Sequence, residues 1–309
     1  MALTRRDFLA LAAVMLIPGC RRAAGPAGAR YLAWGQAGRS GGSFIRPRAI
    51  EAIGDEVYVI DTTGRVQVFT LEGEFKRSWS LPEYEKGTPT DITPDGKGSL
   101  VIPDTHYSRI LEFTTGGELL AEWGSYGTGE SEFVYPTGAT LGRDGSYYFS
   151  EYGMGAERVH VFDADRNFLR RWGSQGSGEG QFSRAMAIGI DDEGTVYVVD
   201  TANHRVQCFD GEGKLLRIIG KPGGAPGQLK YPEDISFASD GSIFVCEYGN
   251  HRISRFRRDG TFVACYGRPG RELGEFNGPR GVAVSESGFV FVADTDNHRI
   301  QRMEVRELR

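Results

Sequence analysis

Six carboxylates recur along this 309-residue chain, each followed closely by an arginine: Asp61 with Arg65, Asp104 with Arg109, Glu151 with Arg158, Asp200 with Arg205, Glu247 with Arg252 and Asp294 with Arg299. An acid beside a guanidinium can serve proton transfer or charge recognition, but an acid ending one strand and an arginine starting the next also pin a hairpin together. Six copies favour pinning. In three copies Asn-His precedes the arginine, supplying His204, His251 and His298. Zinc needs ligands converging to about 2.0–2.1 Å, and one equivalent histidine per repeat spreads them apart, so they read as structural; His106 and His160 stand isolated.

More particular chemistry attaches to residues that escape the repeat. Upstream of each acid stands a proline or its substitute, at Pro47, Pro89, Pro136, Ala185, Pro232 and Pro279; the next residues are Arg48, Thr90, Thr137, Met186, Glu233 and Arg280. Arg48 and Arg280 suit bidentate capture of a carboxylate or other anion. Glu233, Asp91 and Asp234 add carboxylates, which serve as rim salt-bridge partners or, in an enzyme, as oxygen ligands for a metal. The candidate binding set is therefore Arg48, Asp91, Glu233, Asp234 and Arg280.

The elements that place these residues follow from spacing. Successive acids stand 43, 47, 49, 47 and 47 residues apart, the length of a supersecondary unit. In the copy from Pro232 to Phe276, Asp234–Phe237, Ser242–Cys246, Arg252–Phe256 and Thr261–Tyr266 read as four strands. Turns at Ser239-Asp240-Gly241 and Arg258-Asp259-Gly260 separate them, and a glycine-rich connection leads onward. Six such units predict an all-β, six-bladed β-propeller of four-stranded antiparallel blades. The last unit ends before its outer strand. The missing strand is predicted at Tyr31–Trp34, because Trp34 to Phe44 repeats the spacing of Trp172 to Phe182; paired near Arg299–Met303, it completes the last blade and closes the ring. Blade one departs from the pattern, replacing the glycine loop by Ser80–Gly87. Trp34, Trp79, Trp123, Trp172 and Tyr266 share one strand position and read as packing between blades.

The three Asn-His-Arg copies sit within V-x-D/E-x-x-N-H-R-[VI], which closely resembles the NHL repeat across residues 31–309. The resemblance implies a six-bladed propeller, a fold shared by a peptidyl amidating lyase, by RNA- or protein-binding propellers and by bacterial extracytoplasmic sensor domains. The lyase carries metal-binding histidines just after the repeat prolines. None of Arg48, Thr90, Thr137, Met186, Glu233 and Arg280 is histidine, which argues against that activity. Alternate connections of a four-stranded meander share one face, so the proline-led strand starts, the D-x-x-N-H-R loops and the glycine-rich connections together form the expected binding surface.

The first thirty residues carry targeting signals. Arg5 and Arg6 precede an apolar run, Phe8–Ile17, too short to span a bilayer, for which about 20 residues are needed. Leu-Ile-Pro-Gly-Cys20 resembles a lipobox. Residues 1–19 thus read as a twin-arginine lipoprotein signal peptide, Cys20 as the acylated residue, 20–30 as a flexible tether and 31–309 as the propeller. A net charge of −5 without a dense basic block disfavours nucleic-acid binding. Cys208, Cys246 and Cys265 are scattered and imply no disulfide framework. The expectation is a monomeric, exported, lipid-anchored scaffold without metal or cofactor, binding a protein, peptide or small anionic ligand. The alternative is a metal-dependent lyase or hydrolase at the channel mouth.

Overall fold

The computed structural model describes residues 20–21 and 31–304. The proposed signal residues before Cys20, with Arg5 and Arg6, lie outside them. The chain forms six four-stranded antiparallel blades around a central channel. Blade three is representative: Tyr135–Leu141 is innermost, followed outward by Tyr147–Tyr152, Arg158–Phe162 and Phe168–Trp172. Its second strand, Tyr-Tyr-Phe-Ser-Glu-Tyr, is buried on both faces because side chains alternate toward two neighbouring blades. Tyr148 faces blade four while Tyr147 and Phe149 face blade two. Each of six apolar clusters accordingly spans one blade interface, and the cluster uniting Ile50, Val59 and Phe69 with Phe291 and Ile300 joins blade six to blade one.

Closure is as the spacing predicts. Tyr31–Trp34 pairs antiparallel with Arg299–Glu304, matching Tyr31 to Met303 and Trp34 to Ile300. Trp34 then packs on Phe69 of blade one and Phe291 of blade six. The other tryptophans and Tyr266 also pack at blade interfaces. Blade two departs from four full strands. Its inner strand is only Thr93–Pro94, since Pro89 and Pro94 offer no N–H to a ladder. Cys20–Arg21, placed by the sequence at the start of a tether, forms a short strand parallel to Cys265–Tyr266 on blade five. Cys208 and Cys246 are free and buried, whereas Cys265 is disulfide-bonded, contrary to the expectation of no disulfide.

The repeat motif is an inter-blade clamp. Asp200 accepts the Ser183 N–H at 2.7 Å and is held by Arg205 Nε at 2.7 Å. Asn203 Nδ2 donates to Asp200 and to the Gly176 carbonyl, and Arg205 donates to the Gln181 carbonyl, so three side chains gather the incoming glycine loop. His204 turns the other way. It has φ 58°, and its Nδ1 accepts the Tyr231 N–H at 3.0 Å where the chain enters blade five. His251 does the same for Gly278, and His298 for Arg46 across the closure. In blade three Glu157 replaces the histidine, accepting the Arg184 N–H. The acid–arginine pairs are thus pins, and the histidines are backbone acceptors at separate interfaces. His160, fully buried, bonds Glu151 at 2.8 Å.

Because the closing strand covers the outer edge of blade six and anchors Trp34, removing residues 31–44 is expected to cost several kcal/mol and abolish cooperative folding. A truncated protein starting at Ile45 that melts at the unaltered temperature, followed by circular dichroism, would contradict this.

Candidate functional site at the channel mouth

The innermost strands begin at the loop-bearing face, so the residue after each proline lies at the mouth. Blades six and one approach so closely there that a Cβ on Gly281 would lie 2.5 Å from the Arg48 carbonyl oxygen and 2.8 Å from the Ile50 side chain. Glycine after Arg280 is therefore required by the approach, and it draws the two arginine-bearing strands together. Arg280 Nη1 donates to the buried Glu233 at 2.8 Å, and its guanidinium lies over Tyr248 at 4.4 Å. Arg280 thus joins Glu233, the internal partner that blade order suggests.

Among the described residues Arg48 has no such partner. Its side chain is half-buried, and its Nε is shielded from solvent with no hydrogen-bond partner among the described residues. Burial lowers its pKa from the ordinary arginine value; the neighbouring Arg280 charge adds to this, and Glu233 and Tyr152 oppose it. An arginine remains cationic through such a shift. The far side of the mouth is aromatic: Tyr152 lies 5.5 Å from Tyr135, which lies 5.9 Å from His106. Burial and then the Arg48 charge lower the His106 pKa, favouring its neutral form. This is a cationic mouth, with an arginine whose Nε has no partner among the described residues and an aromatic wall, suited to a carboxylate or similar oxyanion.

Asp91 and Asp234 belong to a different layer. With Glu51 they line a cavity of about 100 Å³ within the channel. Asp91 accepts N–H groups from Ile92 and from Ala139 of blade three, each at 2.8 Å. Asp234 accepts them from Ile235 and from Val282 of blade six, also at 2.8 Å. Each carboxyl group therefore ties its inner strand to the following blade. Glu233 is committed to Arg280, so the carboxylate set proposed for a metal is divided and already hydrogen-bonded. Among the described residues no group of three or more His, Cys, Asp or Glu is disposed to hold a metal ion.

Burial raises the Glu51 pKa to about 8 and that of Asp91 to about 6; burial and then Asp91 push Asp234 well above its usual range. A raised folded-state pKa means the folded protein holds the proton more tightly. Its stabilising effect is complete below the unfolded value and fades as pH rises toward the folded one. For Glu51 that window runs from the ordinary glutamate pKa to about 8. Glu51→Gln, which stays neutral, is expected to stabilise the protein by roughly 4–5 kcal/mol at pH 8.5 and by little at pH 4.5. Melting temperatures of both proteins across this range test it, and a pH-independent difference would refute it.

The sequence reading missed Glu51, Tyr152, Tyr248 and His106 as members of the channel or its mouth. Glu51 could have been found as the lone acid in the apolar strand Ala49–Ile53. Tyr152 and Tyr248 stand where other repeats have threonine after the acid; Thr201 and Thr295 there bond the Pro232 and Pro47 carbonyls of the following blade, at 2.6 Å. Tyrosine in that place is a departure toward the mouth.

Known proteins agree with the architecture. No curated protein matches the sequence. Among solved structures, an auxiliary nutrient binding protein from Bacteroides ovatus is similar at 15% identity and TM-score 0.66, covering 89% of this chain and 76% of its own. A streptogramin B lyase is similar at 14% identity and TM-score 0.63, covering 89% and 97%. Virginiamycin B lyase from Staphylococcus aureus is similar at 13% identity and TM-score 0.60, covering 84% and 95%. Identities this low establish the fold alone. The NHL repeat matches residues 182–209, 229–256 and 276–303, the stretches that carry the three Asn-His-Arg clamps, and the chain is an NHL-repeat six-bladed β-propeller.

Proposed function

We propose that this propeller is a binding module that captures a small carboxylate or related anion at the loop-bearing mouth of its channel, on the extracytoplasmic side of a membrane. The observation that carries this reading is Arg48: a half-buried guanidinium beside a second arginine, with its Nε unsatisfied. Burying a charge is costly unless it is paired, so an incoming anion gains both the hydrogen bonds and relief of the Arg48–Arg280 repulsion. Arg280, already oriented by Glu233 and Tyr248, acts as the fixed side of the grip. The similarity to a nutrient-binding propeller supports a binding role, and the twin-arginine and lipobox-like motifs support export; anchoring through Cys20 requires its sulfur to carry the lipid, which excludes it as the partner of the disulfide-bonded Cys265.

Arg48→Gln is expected to weaken binding of butyrate, followed by calorimetry, by about tenfold to a hundredfold while the melting temperature is kept. Saturable butyrate binding that is unchanged in Arg48→Gln overturns the anion site. For the anchor, Cys20→Ala is expected to convert a membrane-associated protein into a soluble exported one. An unacylated or disulfide-linked Cys20, seen by mass spectrometry of the mature protein, overturns that part.

A further inference from the structure

Blade three breaks the repeat beside the mouth. The acid and arginine of its clamp, Glu151 and Arg158, lie seven positions apart, against five for Asp200 and Arg205, Glu247 and Arg252, and Asp294 and Arg299. The lengthened loop does not lose the clamp, since Glu157 at its end takes the acceptor role that histidine fills elsewhere. The residues between, Gly153-Met154-Gly155, are therefore released from holding the ring. They are used to display an apolar side chain. Met154 is 78% exposed in a left-handed conformation with φ 50°, and Tyr126, 61% exposed, donates its hydroxyl hydrogen bond to the Met154 sulfur at 2.9 Å. An unbranched thioether exposed beside an aromatic ring adapts to varied apolar ligands. The patch borders the mouth in the chain: Met154 stands two residues from Tyr152, whose ring neighbours Tyr135, lies 5.7 Å from the Arg184 guanidinium and is in the field of Arg48.

We infer that the ligand is a carboxylate with an extended apolar tail, its head on Arg48 and Arg280 and its tail laid outward over Tyr152 and Met154 to Tyr126. This deepens the anion site proposed above and rests on it. On the opposite side of the mouth Arg280 lies over Tyr248 and is paired with Glu233, and the exposed Tyr231 there stands edge-on to His204, whereas Met154 is the most exposed large apolar side chain among the described residues. The lengthened loop thus sets selectivity by tail, and the arginines set selectivity by charge.

The test compares decanoate, butyrate and decanol binding to the full propeller by calorimetry, below the micelle concentration of decanoate. Decanoate is expected to bind at least about tenfold tighter than butyrate, through burial of its added methylenes, and decanol weaker than either acid. The exposed-site variant Met154→Ser, Tyr126→Ser is expected to bring decanoate to within about threefold of butyrate, with butyrate binding and the melting temperature unchanged. Arg48→Gln is expected to weaken both acids by the same factor. If the Ser variant leaves the decanoate preference intact, or decanoate and butyrate bind alike, the tail path is wrong while the anion site stands. If decanoate binds but is insensitive to Arg48→Gln, or decanol binds as well as decanoate, the charged head site fails and this inference with it.

Discussion

The ring depends on a buried carboxylate at the end of each blade's second strand. Asp61, Asp104, Glu151, Asp200, Glu247 and Asp294 are all fully buried and each is paired with an arginine. A carboxylate in such surroundings is tolerable only when its lone pairs are filled. In the best-formed repeats they are filled by backbone N–H, amide and guanidinium donors from parts of the chain distant in sequence. The requirement to satisfy one charge thus fixes where the glycine connection enters a blade. The histidine of the same motif then fixes where the chain leaves for the next. The conspicuous polar residues of the repeat are consumed by this work.

The proposed site is built from the residues that the clamp leaves over. The first inner-strand position after the proline needs no conserved partner, so it carries Arg48, Glu233 and Arg280 at the mouth. The next positions point down the channel and can hold Asp91 and Asp234, whose buried carboxyl groups substitute for the backbone pairing that separate blades cannot supply. The scaffold therefore presents charged groups in layers: a cationic mouth above a proton-holding interior. These layers differ in kind, because the arginines stay charged whereas the interior acids are driven toward neutrality by desolvation.

Much of the fold was legible because period and register are properties of sequence. The eleven-residue span from Trp34 to Phe44, matched against Trp172–Phe182, was enough to place the closing strand in its correct pairing. The site was legible only in part. Arg48, Arg280 and Glu233 stood out by departing from the repeat; Arg280 pairs with Glu233, and Arg48 lies in the field of both. Asp91 and Asp234 departed equally but belong lower in the channel, because a one-residue difference in an inner strand changes depth and direction. Tyr152 and Tyr248 were hidden by familiarity: a tyrosine in a β-rich protein reads as core until the threonine it replaces is seen bonding the next blade. Glu51 was hidden because alternation along a strand does not say which inward position faces neighbours and which faces the channel.

The pairing of Tyr31 with Met303 joins two points at opposite ends of the described ring in one sheet. A linear stack of repeats frays from its ends and needs polar caps there; here every blade has two neighbours and neither kind of cap is called for. Chain order and spatial order are consequently independent. The same six blades would be obtained from a chain opened at another turn, provided one strand is still donated across the new seam. The seam also carries the highest loop-closure entropy of any contact in the molecule, so five blades must wait, with one edge uncovered, for a strand made first and placed last.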